Sequence, residues 1–138
     1  MHICDLTTLF IDGGAGGVNT YLTEKAQYLT ENHAEHRHTI IVPGAHNTTQ
    51  TLFGSTIYTL RSPRLIYNPH HRVLAHFRHI RQILQDTKPD LVEVDCLYFL
   101  GHLAAAATAQ QTPLIGFYHT HLPSLYSRPL TQIGRAHV

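Results

Sequence analysis

Five short apolar segments, most of them separated by stretches with helical spacing, constrain the fold of this chain more than any other feature. His2 to Phe10 (HICDLTTLF) mixes apolar and β-branched residues and runs into a glycine cluster, which predicts a strand followed by a tight loop. From Val18 to Asn32 the residues Val18, Tyr21, Leu22, Ala26 and Leu29 fall near helical spacing. His38 to Val42 is a second strand, closed by Pro43-Gly44, and Ser55 to Leu60 a third. Pro69 stands where a helix would open, a position proline tolerates, and Val73, Leu74, Phe77, Ile80 and Leu84 then recur at three- and four-residue steps. Lys88-Pro89-Asp90 stops that helix. Leu91 to Val94 is a fourth strand ending at Asp95, Tyr98 to Gln110 an alanine-rich helix, and Leu114 to Tyr118 a fifth strand.

Alternation of this kind predicts an α/β fold, a Rossmann-like parallel sheet with flanking helices. Ligands of such sheets lie at the C-terminal edges of the strands, near the switch in strand order. Function is therefore sought in Gly13 to Val18, Asp95 to Tyr98 and His119 to Tyr126. A length of 138 residues suits one domain, and 43% hydrophobic residues with a net charge of +1 suit a globular protein that does not bind nucleic acid. No apolar run approaches the ~20 residues needed to span a bilayer. The first residues lack a basic stretch leading into an apolar one, so no signal peptide is expected. Cys4 and Cys96, each within a strand-like segment, read as reduced thiols of a cytoplasmic protein rather than a disulfide. The thirteen histidines are scattered.

The last six residues, Ile133 to Val138, back-translate as ATC GGA AGA GCA CAC GTC, a widely used sequencing adapter. A CAG codon for Gln132 supplies the two bases before it. The expected division is a truncated domain over residues 1–132 followed by a non-native tail, 133–138.

Asp12-Gly13-Gly14-Ala15-Gly16-Gly17-Val18-Asn19 lies between a strand and a helix. Glycines there let the backbone approach a ligand, and a helix N-terminus offers unpaired N–H groups to an anion. The spacing is not a dinucleotide fingerprint, because Asn19 stands where its third glycine belongs, and no Gly-Lys-Ser/Thr follows to make a Walker loop. The plain alternative is a flexible turn. A second constellation, Phe117-Tyr118-His119-Thr120-His121-Leu122-Pro123-Ser124-Leu125-Tyr126, follows the fifth strand. His119 and His121, two apart, would face one side, but no acidic or thiolate ligand adjoins them to complete a metal site.

A strand, then Gly-Gly-Val opening a helix, then a distant Tyr118-His119-Thr120 with a nearby proline and tyrosine, resembles the N-terminal domain of family-4 retaining glycosyltransferases. The resemblance extends to Gln132 and implies the GT-B fold, in which two Rossmann-like domains enclose the active site. It implies hexose transfer from a nucleotide-sugar to an acceptor hydroxyl with retention. It assigns donor binding to Gly16 and Gly17 and catalysis to His119. Asp95, Tyr98, His121 and Tyr126 are candidates for the acceptor, whether carbohydrate, lipid or other hydroxyl compound. No tightly bound cofactor and no metal are required. The second domain, with its basic diphosphate-binding residues and paired glutamates, is missing, so this half should be inactive alone.

Arg61, Arg64, Arg72, Arg78 and Arg81 come without an acid before Asp86. A solvated face is the default for such a run. The functional alternative is peripheral contact with an anionic acceptor or the cytoplasmic face of a membrane through the Arg61–Arg81 stretch. Glu93 and Asp95 point to one side of the fourth strand, where Asp95 either meets acceptor hydroxyls or caps the helix near Tyr98. Two rival functions are a stand-alone nucleotide- or phosphate-binding module and a metal hydrolase built on His119, His121 and Asp95.

Overall fold

The computed structural model describes residues 1–8, 10, 14, 16–66, 68–95 and 112–117. In chain order the elements are β1 (His2–Leu6), α1 (Gly17–Asn32), β2 (Arg37–Gly44), β3 (Thr48–Leu52), β4 (Ser55–Arg61), β5 (Arg64–Leu65), β6 (Asn68–Arg72), α2 (Phe77–Thr87), β7 (Leu91–Val94) and β8 (Leu114–Gly116). Six strands form one sheet in the order β3-β4-β2-β1-β7-β8. Every neighbouring pair is parallel except β3 with β4. The parallel strands thus run third, second, first, fourth, fifth, and the order reverses between β1 and β7. The Rossmann-like expectation holds, and the switch point is where that fold binds its ligands.

Strand alternation sends Cys4, Leu6, Ile41, Leu60, Val92 and Val94 to one face, where Leu74 and the α2 residues Ile80 and Leu84 close over them. Ile40, Val42 and Ile57 point to the other face and meet Leu22 of α1. Ala26, fully buried one turn on, lets α1 lie close to the sheet.

Two expectations need correction, and one strand was not expected. Pro69 does not open a helix but lies in β6, which pairs with β5 as a two-stranded hairpin. With no third strand beside it, β6 tolerates a residue that lacks an N–H. The helix starts at Phe77, and the apolar spacing misled because Leu74 packs into the same core from an extended segment. Strand β1 stops at Leu6 rather than Phe10. Between β2 and β4, where the sequence suggested no element, the chain forms β3, exposed along most of its length. An edge strand of this kind, Thr-Thr-Gln-Thr-Leu, carries no apolar alternation to read. It turns into β4 through Phe53 and Gly54, both at positive φ (46° and 80°) as a two-residue hairpin turn requires.

At the other end of α2 the expected stop is present. Lys88 adopts a left-handed conformation (φ 46°) and its N–H reaches the Leu84 carbonyl at 2.9 Å. Among the described residues no helix is long and apolar enough to cross a membrane.

Candidate functional site

The site is built where β1 and β7 end side by side. The Asp95 N–H donates to the Leu6 carbonyl at 3.3 Å, extending the ladder by one residue. Its carboxylate turns back to the loop leaving β1: the Thr7 hydroxyl donates to Oδ2 in a short hydrogen bond, and the Thr8 N–H reaches Oδ1 at 3.3 Å. Asp95 thus stands at the expected rim of the cleft and ties the start of the glycine loop to β7.

The loop delivers the chain to α1 at Gly16, whose backbone is extended (φ 179°, ψ 156°). Among the described residues no side chain caps α1, and its first turn holds no acid, so the start of the helix keeps the electropositive character that suits an anion. A Cβ on Gly16 or Gly17 would meet no atom within 4 Å among the described residues. Among the described residues neither backbone strain nor packing accounts for these two glycines. Asn19 donates from Nδ2 to the Gly14 carbonyl at 3.1 Å and holds the loop against its helix. The residue that departs from the dinucleotide fingerprint therefore has a local structural role.

Below the rim lies a crevice bordered by Asp5, Thr7, Tyr21, Glu93, Asp95 and Phe117. The Tyr21 and Phe117 rings meet across it, centroids 5.4 Å apart and tilted by 40°. Glu93 and Asp95 do share a side, as alternation predicts. Lys25, one turn beyond Tyr21 on α1, reaches Glu93 at 2.8 Å and the Asp5 carboxylate at 2.9 and 3.0 Å. Tyr21 donates to the same Glu93 oxygen at 3.2 Å. Asp5 in turn accepts from His38 Nε2 at 2.5 Å, and His38 Nδ1 accepts from the Ser55 hydroxyl at 2.8 Å. This chain of contacts joins four strands to α1.

Burial alone would raise the Asp5 pKa, but the His38 hydrogen bond and the Lys25 ammonium overcome it and hold the carboxyl below its usual range. Burial likewise works against the charge on Lys25, and Asp5 and Glu93 reverse it, raising that pKa. Tyr21 is pushed up by burial and by the adjoining Glu93 charge. A Ser-His-Asp order is present in Ser55, His38 and Asp5, yet Ser55 is 1% exposed at the start of β4, away from the cleft edge. It is a buried strut without access for a substrate.

His119, Tyr98, His121 and Tyr126 lie outside the described residues, as do Gly13 and Cys96; Cys4 is buried and free. Gly16, Gly17 and Asp95 are brought to one edge. Sequence reading missed Asp5, Tyr21 and Lys25 as a unit. Two signals were available: an acid in the middle of an apolar strand, and a lysine four residues after Tyr21 on the helix's inner stripe. Among the described residues, one group has metal-ligand character: His33, Glu35 and His36, whose ligand atoms lie within 4.8 Å of one another. It sits in the turn before β2, at the edge opposite the cleft.

Comparison with known proteins gives one positive finding. The model of the family described as Glycosyltransferase Family 4 matches residues 15–137. No curated protein matches the chain.

Proposed function

This chain belongs to glycosyltransferase family 4, and we propose that it forms the acceptor-side wall of an enzyme moving a hexose from a nucleotide-sugar to a hydroxyl with retention. The observation that carries this reading is the open N-terminus of α1. No described side chain or acid neutralises that helix end, no described atom lies where a Cβ on Gly16 or Gly17 would stand, and both lie at the strand edge where the sheet order reverses.

Breaking the donor's glycosidic bond leaves a diphosphate and an oxocarbenium-like sugar. The α1 amides lie ready to oppose the diphosphate's charge without reorganising, which is where preorganised dipoles lower a barrier most. Gly16 and Gly17 admit the donor to within backbone distance. His119 positions the sugar or stabilises its developing charge, and Asp95, Tyr98, His121 and Tyr126 direct the acceptor hydroxyl. Helix dipole and basic side chains suffice as counter-charge, so no metal and no tightly bound cofactor are needed. The reduced, buried Cys4 supports a cytoplasmic setting.

The test uses the chain extended through its downstream coding sequence, assayed for transfer from a panel of nucleotide-sugars, with the product's anomeric configuration read by NMR. Retention is expected, and Gly17→Val should lower kcat/KM at least a hundred-fold, about 2.7 kcal/mol in the transition state. An inverted product would refute the proposed stereochemistry. Wild-type rates in His119→Ala would remove the role given to that histidine.

A further inference from the structure

At the cleft edge, beyond the end of β4, the chain projects the β5–β6 hairpin. The Ser62 N–H donates to the Gly44 carbonyl at 2.9 Å, tying the entry of the hairpin to the C-terminal end of β2, and the Val73 N–H donates to the Pro63 carbonyl at 3.0 Å, closing the hairpin's base. Within the hairpin Arg64 and Arg72 are direct cross-strand partners. Like charges so placed oppose the pairing unless something negative lies between them. No acid flanks them in the sequence, where no Asp or Glu occurs between Glu35 and Asp86. Among the described residues no ion pair reaches either arginine. The two line a cavity of about 440 Å³ together with Phe10, Pro43, Pro69 and His70, and no acid among the described residues borders it.

The hairpin's tip has the opposite character. Ile66 is 91% exposed and Leu65 is 42% exposed, adjoining residues at the outermost turn. An aliphatic side chain held out in water one residue beyond a basic strand is costly for a soluble surface. It is what an interfacial anchor needs, with an apolar tip to enter the acyl boundary and cations behind it at headgroup depth.

We propose that the β5–β6 hairpin docks this protein on an anionic phospholipid surface, Ile66 and Leu65 inserting while Arg64, Arg72 and His70 hold a headgroup phosphate. The hairpin stands on the same edge of the sheet as Gly16 and Asp95, so docking turns the cleft towards the bilayer. This rests on the transferase reading in one respect: the surface is then where the acceptor resides.

Co-sedimentation with vesicles tests it, comparing phosphatidylcholine alone with phosphatidylcholine mixed with phosphatidylglycerol. The wild-type chain is expected to bind the anionic vesicles and to release as salt rises. Ile66→Asp, at a site with almost no packing to lose, should weaken binding at least ten-fold, the scale of one buried aliphatic side chain. Arg64→Gln should weaken it about five-fold, the scale of one basic residue near an anionic surface. Lys88→Asn, which removes an exposed cation at the opposite edge, should leave it unchanged. Equal binding by Ile66→Asp, equal loss in Lys88→Asn, or no vesicle binding would each overturn the proposal. So would inorganic phosphate perturbing the Arg64 and Arg72 NMR signals in a chain that ignores vesicles, which would assign the cavity to a free phosphate. Vesicle binding without transferase activity in the extended chain would sink the functional reading and leave the hairpin's role. Transfer to a soluble acceptor by an enzyme indifferent to vesicles would do the reverse.

Discussion

The two faces of the sheet are built on different principles. Towards α2 the strands present Cys4, Leu6, Ile41, Leu60, Val92 and Val94, and the helix and the segment before it answer with Leu74, Ile80 and Leu84. Towards α1 the strands add Asp5, His38 and Glu93 to the apolar Ile40, Val42 and Ile57, and the helix answers with Lys25 and Tyr21 beside Leu22. An apolar face holds its helix by area and tolerates small slides. Directional contacts between charges hold α1 in one register on β1 and β7. The face that carries the glycine loop is the one with a fixed register, and displacing the start of α1 would misplace the amides that the proposed function offers to the donor.

The largest expected effect comes from breaking the polar face. Lys25→Ala leaves Asp5 and Glu93 buried beside each other without their cation, and removing one partner of a buried pair costs about 3–5 kcal/mol. Urea unfolding should show it, and Lys25→Met should recover little, since the aliphatic stem was not the contribution. If Lys25→Met were as stable as wild type, packing would hold both faces and the comparison would fail.

On the apolar face, Ile80→Ala should cost about 2–5 kcal/mol through lost transfer energy and the cavity left behind. The informative contrast is functional. In an active extended enzyme, Ile80→Ala should lower the denaturation midpoint with kcat/KM little changed. Lys25→Ala should lower both.

Acid should separate the faces further. Because Asp5 is held below its usual range, its contribution is complete above its unfolded pKa of about 4 and is lost as pH falls through the lower folded value. His2 lies at the other end of β1, its ring between the Thr87 carbonyl at 3.0 Å and the Thr39 hydroxyl at 2.8 Å. Burial lowers its pKa, so stability falls earlier, as pH drops below the unfolded value of about 6.5. Stability measured against pH should therefore decline in two stages. His2→Gln should flatten the upper stage and Asp5→Asn the lower one. A single stage, unchanged by either substitution, would show that neither group titrates as its surroundings require.

Much of this contrast was legible in the sequence, and its gaps have physical causes. The strands at His38, Ser55 and Leu91 could be read because each is buried on at least one face and so carries an apolar pattern. Strand β3 could not, since an exposed edge imposes no such pattern. The β5–β6 hairpin was hidden by Leu74, which joins the core from extended chain yet falls in phase with α2. The placement of Asp95 and the two glycines at one sheet edge was legible through their position between elements. The Asp5–Lys25–Glu93 group was not, because it unites residues far apart in sequence, and only the sheet order brings β1 beside β7.

The smallest effect on stability belongs to the glycines themselves. Gly17 opens α1, and a Cβ there meets nothing within 4 Å among the described residues. Alanine at that position removes conformational freedom from the unfolded chain and favours the helix, so Gly17→Ala should stabilise by about 0.4–1 kcal/mol. A methyl that improves the fold but projects into the donor's path should nevertheless lower kcat/KM in the extended enzyme. Stabilisation with loss of transfer is the signature of a glycine retained for its ligand, since a turn glycine would lose stability and a neutral one would lose nothing. Stabilisation with unchanged transfer would dissociate the α1 N-terminus from the donor. The fixed register of the polar face would then serve stability alone.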